Sequence, residues 1–113
     1  MNLYITTTEY AYEGVYTHIP KLPGHYVDLE LDLTILGAAL VDMIEHKNYR
    51  KVQIHTAKQA LIDLWNNPRV YSKSGALMSR IKEKIKKSYA IVNMVYSSLD
   101  EITAAINKEK HHL

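Results

Sequence analysis

The chain has no cysteine, no phenylalanine, one tryptophan, three prolines and four glycines in 113 residues. Without cysteine there is neither a disulfide nor thiolate chemistry. Glycine stands only at positions 14, 24, 37 and 75, so no glycine-rich loop is available to cradle phosphates, and no serine sits on a nucleophile elbow. Long hydrophobic runs are missing too. The longest, Leu33 to Ile44, is interrupted by Thr34 and Asp42 and is too short to cross a bilayer. Met1 to Tyr4 shows no basic segment followed by an apolar run, so no secretory leader is expected; the chain reads as cytoplasmic, with no membrane partner. Histidines lack close ligand spacing except at His111 and His112. Neither His55-Thr56-Ala57 nor His18-Ile19-Pro20 fits the paired His-x-Thr/Ser words of one phosphodiesterase class.

What is present suits one folded domain over residues 1–113. Apolar residues make up 47% and charged residues 23%, too hydrophobic for a disordered chain and too short for a second core. The net charge of +2 decides nothing by itself. Its distribution says more: acids gather at Asp28, Glu30 and Asp32, and bases at Arg80, Lys82, Lys84, Lys86 and Lys87 with Glu83 among them. Of nine tyrosines, Tyr4, Tyr10, Tyr12, Tyr16 and Tyr26 fall in the first quarter, where their β propensity counts.

Periodicity orders the elements. Leu3 to Thr8 reads as a strand, Tyr10 to Ile19 as a second with a bulge at Gly14, and His25 to Leu31 as a third, alternating Val27, Leu29 and Leu31 against Asp28 and Glu30. Leu33, Leu36, Leu40 and Ile44 then recur at helical spacing behind Asp32 as N-cap. Lys51 to Thr56 is a fourth strand. Thr56 and Gln59 fit a capping box for a helix to Asn66, and Ser74 caps a helix with Leu77, Ile81 and Ile85 inward. Tyr89 to Tyr96, apolar nearly throughout, reads as a strand buried on both sides. Ser98 and Glu101 open a last helix with Leu99, Ile102 and Ile106 inward, and Trp65 belongs to the core. The expected fold is α/β in the order βββαβααβα, a five-stranded mixed sheet of three antiparallel and two parallel strands flanked by helices.

That element order resembles the ribonuclease H family over nearly the whole chain. Glu30-Leu31-Asp32-Leu33, running into Gly37-Ala38-Ala39, is similar to the segment carrying the family's second carboxylate. His55 to Gln59 sits where the family has a strand end, an aspartate and a helix, and Asp100 to Ala105 looks like its last helix. The family's chemistry needs carboxylates converging on two divalent ions, which clamp the attacking and leaving oxygens of a phosphodiester. Here the matching positions are Thr7, Asp32 (or Glu30), Ala57 and Asp100. A hydroxyl and a methyl replace two ligands, so the resemblance implies a degenerate member and a non-catalytic binding module without cofactor.

Two further readings stay open. One is a residual nuclease that holds magnesium or manganese with Glu30, Asp32 and Asp100, or with Glu9 leaning back. The other is a structural or regulatory homo-oligomer, joined along the third-strand edge or around Leu99 and Ile106. Partners of a binding module are nucleic acid or protein. Contacts to phosphates would come from Lys73, Arg80, Lys82, Lys84 and Lys87, with Tyr12 stacking on a base. A lysine-rich domain this small would suit a phage or mobile element, by analogy of fold alone.

Overall fold

The computed structural model describes residues 1–21, 23–69 and 71–111. Five strands, β1 (Asn2–Ile5), β2 (Glu9–Tyr12), β3 (Val15–His18), β4 (Lys51–Thr56) and β5 (Ile91–Tyr96), form one sheet in the order β3-β2-β1-β4-β5. β1 to β3 pair antiparallel, while β4 and β5 join parallel to β1. Four helices complete the fold: α1 (Glu30–Leu40), α2 (Gln59–Asn66), α3 (Lys73–Ser88) and α4 (Leu99–Lys110). The expected five-stranded mixed α/β sheet is therefore present, with its third strand at Val15–His18 rather than at residues 25–31.

Two layers of helix enclose the sheet. Leu3, Ile5, Tyr10, Tyr12, Val52 and Ile54 turn to one face and meet Leu33, Leu36, Met43, Leu61, Trp65 and Met78 in the main core. Leu77, Ile81 and Ile85 of α3 pack against that core partly buried. On the other face α4 lays Ile102 and Ile106 over Ala11, bordered by Tyr4, Tyr16 and Ala57. Trp65 is core, as its spacing predicts.

Several boundaries differ from expectation, each for a local reason. β1 stops at Ile5 because the Thr6 hydroxyl accepts from the amides of Thr8 and Glu9, folding Thr6 to Thr8 into a turn. The long second strand is a hairpin instead: Gly14, at φ 79°, supplies the left-handed turn position between β2 and β3. Residues 25–31 are no strand. Leu29, at φ 64°, turns the chain into α1, and Glu30 closes the turn by accepting from the Val27 amide. Leu29 is thus the cap position, and Asp32 lies inside the first helical turn.

At the far end α1 continues as a π-helical segment, Val41–His46, a wider winding that sets Asp42 against the tyrosines of β2. Thr56 bonds the Lys58 amide rather than capping α2, which begins at Gln59. Ser72, not Ser74, caps α3 through the Gly75 amide; the Ser74 hydroxyl donates to the Asp28 carbonyl instead. Ser98 caps α4 as expected, accepting from the Glu101 amide. Leu99 points outward, 62% exposed. β5 is a sheet edge with Ile91 and Tyr96 exposed, not a strand buried on both sides, because α4 lies over β1 to β4 rather than over β5.

Candidate functional site

β1 and β4 run parallel side by side, with Leu3 opposite Ile54 and Tyr4 opposite His55. Their C-terminal ends therefore open at one place, where the strand order also reverses direction. Open α/β sheets bind ligands in such crevices. The crevice here is lined by Thr6, Thr7, Asp32, Thr56, Ala57, Lys58 and Leu99. Three of the positions singled out in the sequence, Thr7, Asp32 and Ala57, come together in it from β1's exit turn, α1 and the end of β4. Asp100 is exposed in the first turn of α4, one residue beyond the lining Leu99.

The chemistry of this crevice is set by an ion pair. Lys58 Nζ lies 2.9 Å from Asp32 Oδ2, and the Asp32 side chain is only 6% exposed against 43% for Lys58. A buried carboxylate must have a counter-charge, and an ammonium supplies it here. A lysine amine in this place does the charge balancing that a divalent ion does in a carboxylate cluster, and its positive charge repels such an ion. Thr7 offers one hydroxyl and Ala57 no donor. Among the described residues no three acidic or histidine side chains gather closely enough to hold a metal. The donor set does not fit a two-metal centre, nor a hard cation that wants several oxygens.

The other acids considered are engaged elsewhere. Glu30 faces Lys73 at 2.9 Å and accepts from the Val27 amide, and the Lys73 ammonium holds its carboxyl below the usual carboxylate range. Glu9 accepts from the Tyr16 hydroxyl at 2.6 Å on the α4 face of the sheet, so it does not lean back into the crevice.

The basic residues divide by face. Lys73, Arg80, Lys84 and Lys87 are spaced so that they fall along one stripe of α3, and all four are exposed. Lys73 is paired with Glu30, and Lys87 with Glu83 at 3.4 Å, an exposed pair that screens cheaply. Arg80 and Lys84 make no ion pair among the described residues. They flank shallow apolar ground between α1 and α3 formed by Leu33, Gly37, Leu77 and Ile81. Lys82 turns the other way, donating to the Trp65 carbonyl at 2.7 Å with its ammonium 5.0 Å from the indole centre. It fastens α3 to α2 rather than standing free for phosphate.

Tyr12 cannot stack on a base. It is 1% exposed, its hydroxyl donates to Asp42, and its ring lies against Tyr10 and Tyr49. Burial, and then the Asp42 carboxylate, push its ionisation well above the ordinary tyrosine range.

Two features escape a linear reading. Lys58 lies in the same word as Ala57, and a lysine directly after the strand-end position to which the resemblance assigns a carboxylate is the signal that would have marked it. The second lies on the α4 face, where His55 is clamped through both ring nitrogens. Its Nε2 donates to Asn2 Oδ1 at 2.9 Å, the Ser97 hydroxyl donates to its Nδ1 at 2.8 Å, and the ring stacks on Tyr4 at 4.5 Å. Burial lowers the His55 pKa, against a weaker opposing pull from Glu101. No spacing rule connects residues 2, 55 and 97. Comparison of the chain with family models, with curated proteins and with solved structures gives no match.

Proposed function

We propose that the chain is a non-catalytic, ribonuclease H-like module that binds nucleic acid without cutting it. The fold part of this proposal is supported by the strand order β3-β2-β1-β4-β5 with only β2 reversed, and by α4 alone on one face. The loss of catalysis is supported by one observation above the rest: Lys58 sits on Asp32 in the crevice where the family gathers carboxylates, beside Thr7 and Ala57. The binding surface is the stripe of Lys73, Arg80, Lys84 and Lys87 on α3, in which Arg80 and Lys84 have no ion-pair partner among the described residues. Phosphate recognition by exposed lysine and arginine needs no sequence readout and releases counterions.

The experiment is a fluorescence-anisotropy titration of a labelled RNA–DNA hybrid and of duplex DNA across a salt series. Binding should weaken steeply with salt. Arg80→Glu/Lys84→Glu should abolish it while leaving the far-UV circular dichroism unchanged. Salt-independent binding, or the same isotherm with the double variant, would assign the recognition to another surface and favour a protein partner.

A further inference from the structure

The two edges of the sheet are built differently. β3 is four residues long, and Pro20 follows close behind it. A short edge with a nearby proline discourages pairing. β5 has six residues, Ile91-Val92-Asn93-Met94-Val95-Tyr96, with no charge and no proline, in unbroken register with β4. The Ile91 amide donates to the Arg50 carbonyl and the Ser97 amide to the Thr56 carbonyl. Odd-numbered residues therefore bond inward, and Val92, Met94 and Tyr96 turn their amides and carbonyls away from the sheet. The ground around them is apolar and open: Tyr89 is 90% exposed, Ile91 58%, Tyr96 58% and Leu99 62%.

We infer that β5 is a pairing surface for a second copy of this chain, added antiparallel about a two-fold axis near Met94. The two five-stranded sheets then become one. Three observations select this occupant and this direction. First, the outward groups are self-complementary. In an antiparallel pair centred on Met94, Val92 lies opposite Tyr96 of the second copy and Met94 opposite Met94, each pair exchanging both hydrogen bonds. Second, the charges at the two ends of β5 are opposite. Lys86 and Lys87 precede it, and Asp100 and Glu101 follow it, all exposed. Antiparallel addition brings the basic end of one copy to the acidic end of the other; parallel addition would bring like to like. Third, β5 itself carries no charge to repel its own image across the axis. The interface is isologous and closes at two copies. It does not depend on what the α3 stripe binds.

The test is sedimentation equilibrium of the native chain at low salt over a wide concentration range. The mass should rise from 13.0 kDa towards twice that value. Asn93 is exposed and next to the axis, so Asn93→Lys sets like charges across it and should weaken association about tenfold or more. Asn93→Ala should leave it unchanged. Lys86→Glu/Lys87→Glu should also weaken it, and mixing that variant with Asp100→Lys/Glu101→Lys should restore pairing between the two. A native chain that stays monomeric at millimolar concentration overturns the inference, as does a dimer indifferent to Asn93→Lys. Should Asn93→Lys fail to fold, amide exchange on the native chain decides. The Val92, Met94 and Tyr96 amides must slow as concentration rises, and unchanged rates would refute the pairing.

Discussion

Lys58 holds Asp32 by an ammonium-to-carboxylate contact of 2.9 Å at the mouth of the β1–β4 crevice, with the acid buried and the base half exposed. The energetics of that pair are lopsided. Removing the lysine strands a buried charge, whereas removing both charges leaves neutral groups that pack. Lys58→Met should therefore cost about 2 kcal/mol of stability, and Asp32→Leu/Lys58→Met should recover most of it. Urea denaturation of the two variants beside the native chain measures both. With Asp32→Leu measured alone as well, a double variant whose loss equals the sum of the two single losses would mean that the contact carries no coupling.

Rebuilding the crevice is a stricter trial of the same idea. A Thr7→Asp/Ala57→Asp/Lys58→Ala variant gathers three carboxylates with Asp32 and removes the competing ammonium. It should acquire a saturable manganese isotherm in calorimetry, where the native chain run alongside is expected to give none. A variant that folds and still binds no manganese would show that the crevice lacks the geometry as well as the ligands.

Tyrosines govern the alkaline side of the stability profile. Burial raises the ionisation of Tyr10 and Tyr12, and the bond to Glu9 raises that of Tyr16. A folded value above the unfolded value of 10.0 means the folded state keeps a proton that the unfolded state loses. Stability is then full below pH 10.0 and declines as pH rises from there towards the folded value, most of all through the buried Tyr12, where the slope approaches about 1.4 kcal/mol per pH unit. Tyr12→Phe should lose about 1.5 kcal/mol at neutral pH, from the stranded Asp42 bond, and show a shallower alkaline decline. Chemical denaturation between pH 8 and 11 follows both effects; a slope unchanged by the substitution would sink this assignment.

His55 governs the acidic side. Its folded pKa lies below the unfolded 6.5, so the unfolded state takes up a proton first. The contribution of His55 is whole above pH 6.5 and is lost as pH falls from there through the lowered folded value. His55→Gln should flatten this part of the curve. Nuclear magnetic resonance titration of the ring protons should give a midpoint below 6.5, and a midpoint above it would contradict the buried, clamped ring.

Gly75 packs where a side chain has no room. A methyl there would fall inside the Arg69 backbone carbonyl group, which belongs to the main chain and cannot rotate away. Gly75→Ala should cost about 3 kcal/mol by forcing α3 off the chain that precedes it. Thermal melts quantify this, and a near-neutral substitution would mean that the contact relaxes freely.

Local physics made some elements legible and tertiary physics hid others. Lys51 to Thr56 reads correctly to the residue because Val52, Ile54 and Thr56 alternate with exposed Lys51 and Gln53. The stripe Leu33, Leu36, Leu40 and Ile44 is equally plain, and all four are buried. Val27, Leu29 and Leu31 alternate just as cleanly, yet Leu29 adopts a left-handed conformation and no strand forms, because bonds that start a helix compete there. The apolar content of β5 suggests burial on both faces; only the sheet order reveals an edge. Thr7, Asp32 and Ala57 line one crevice, but the Lys58 contact with Asp32 spans 26 residues and no periodicity announces it. Tyr12 looks like a stacking platform in sequence and is core in space, since hydropathy does not tell a buried tyrosine with a partner from an exposed one.

The decisive measurement is calorimetric titration of magnesium and manganese into the native chain, with a labelled RNA–DNA hybrid incubated alongside and resolved on a denaturing gel. No heat of metal binding and an intact hybrid, under conditions where anisotropy shows the hybrid bound, are expected of a module whose Asp32 is held by Lys58. A saturable isotherm together with metal-dependent cleavage that Asp100→Asn abolishes would contradict it and make this chain a nuclease.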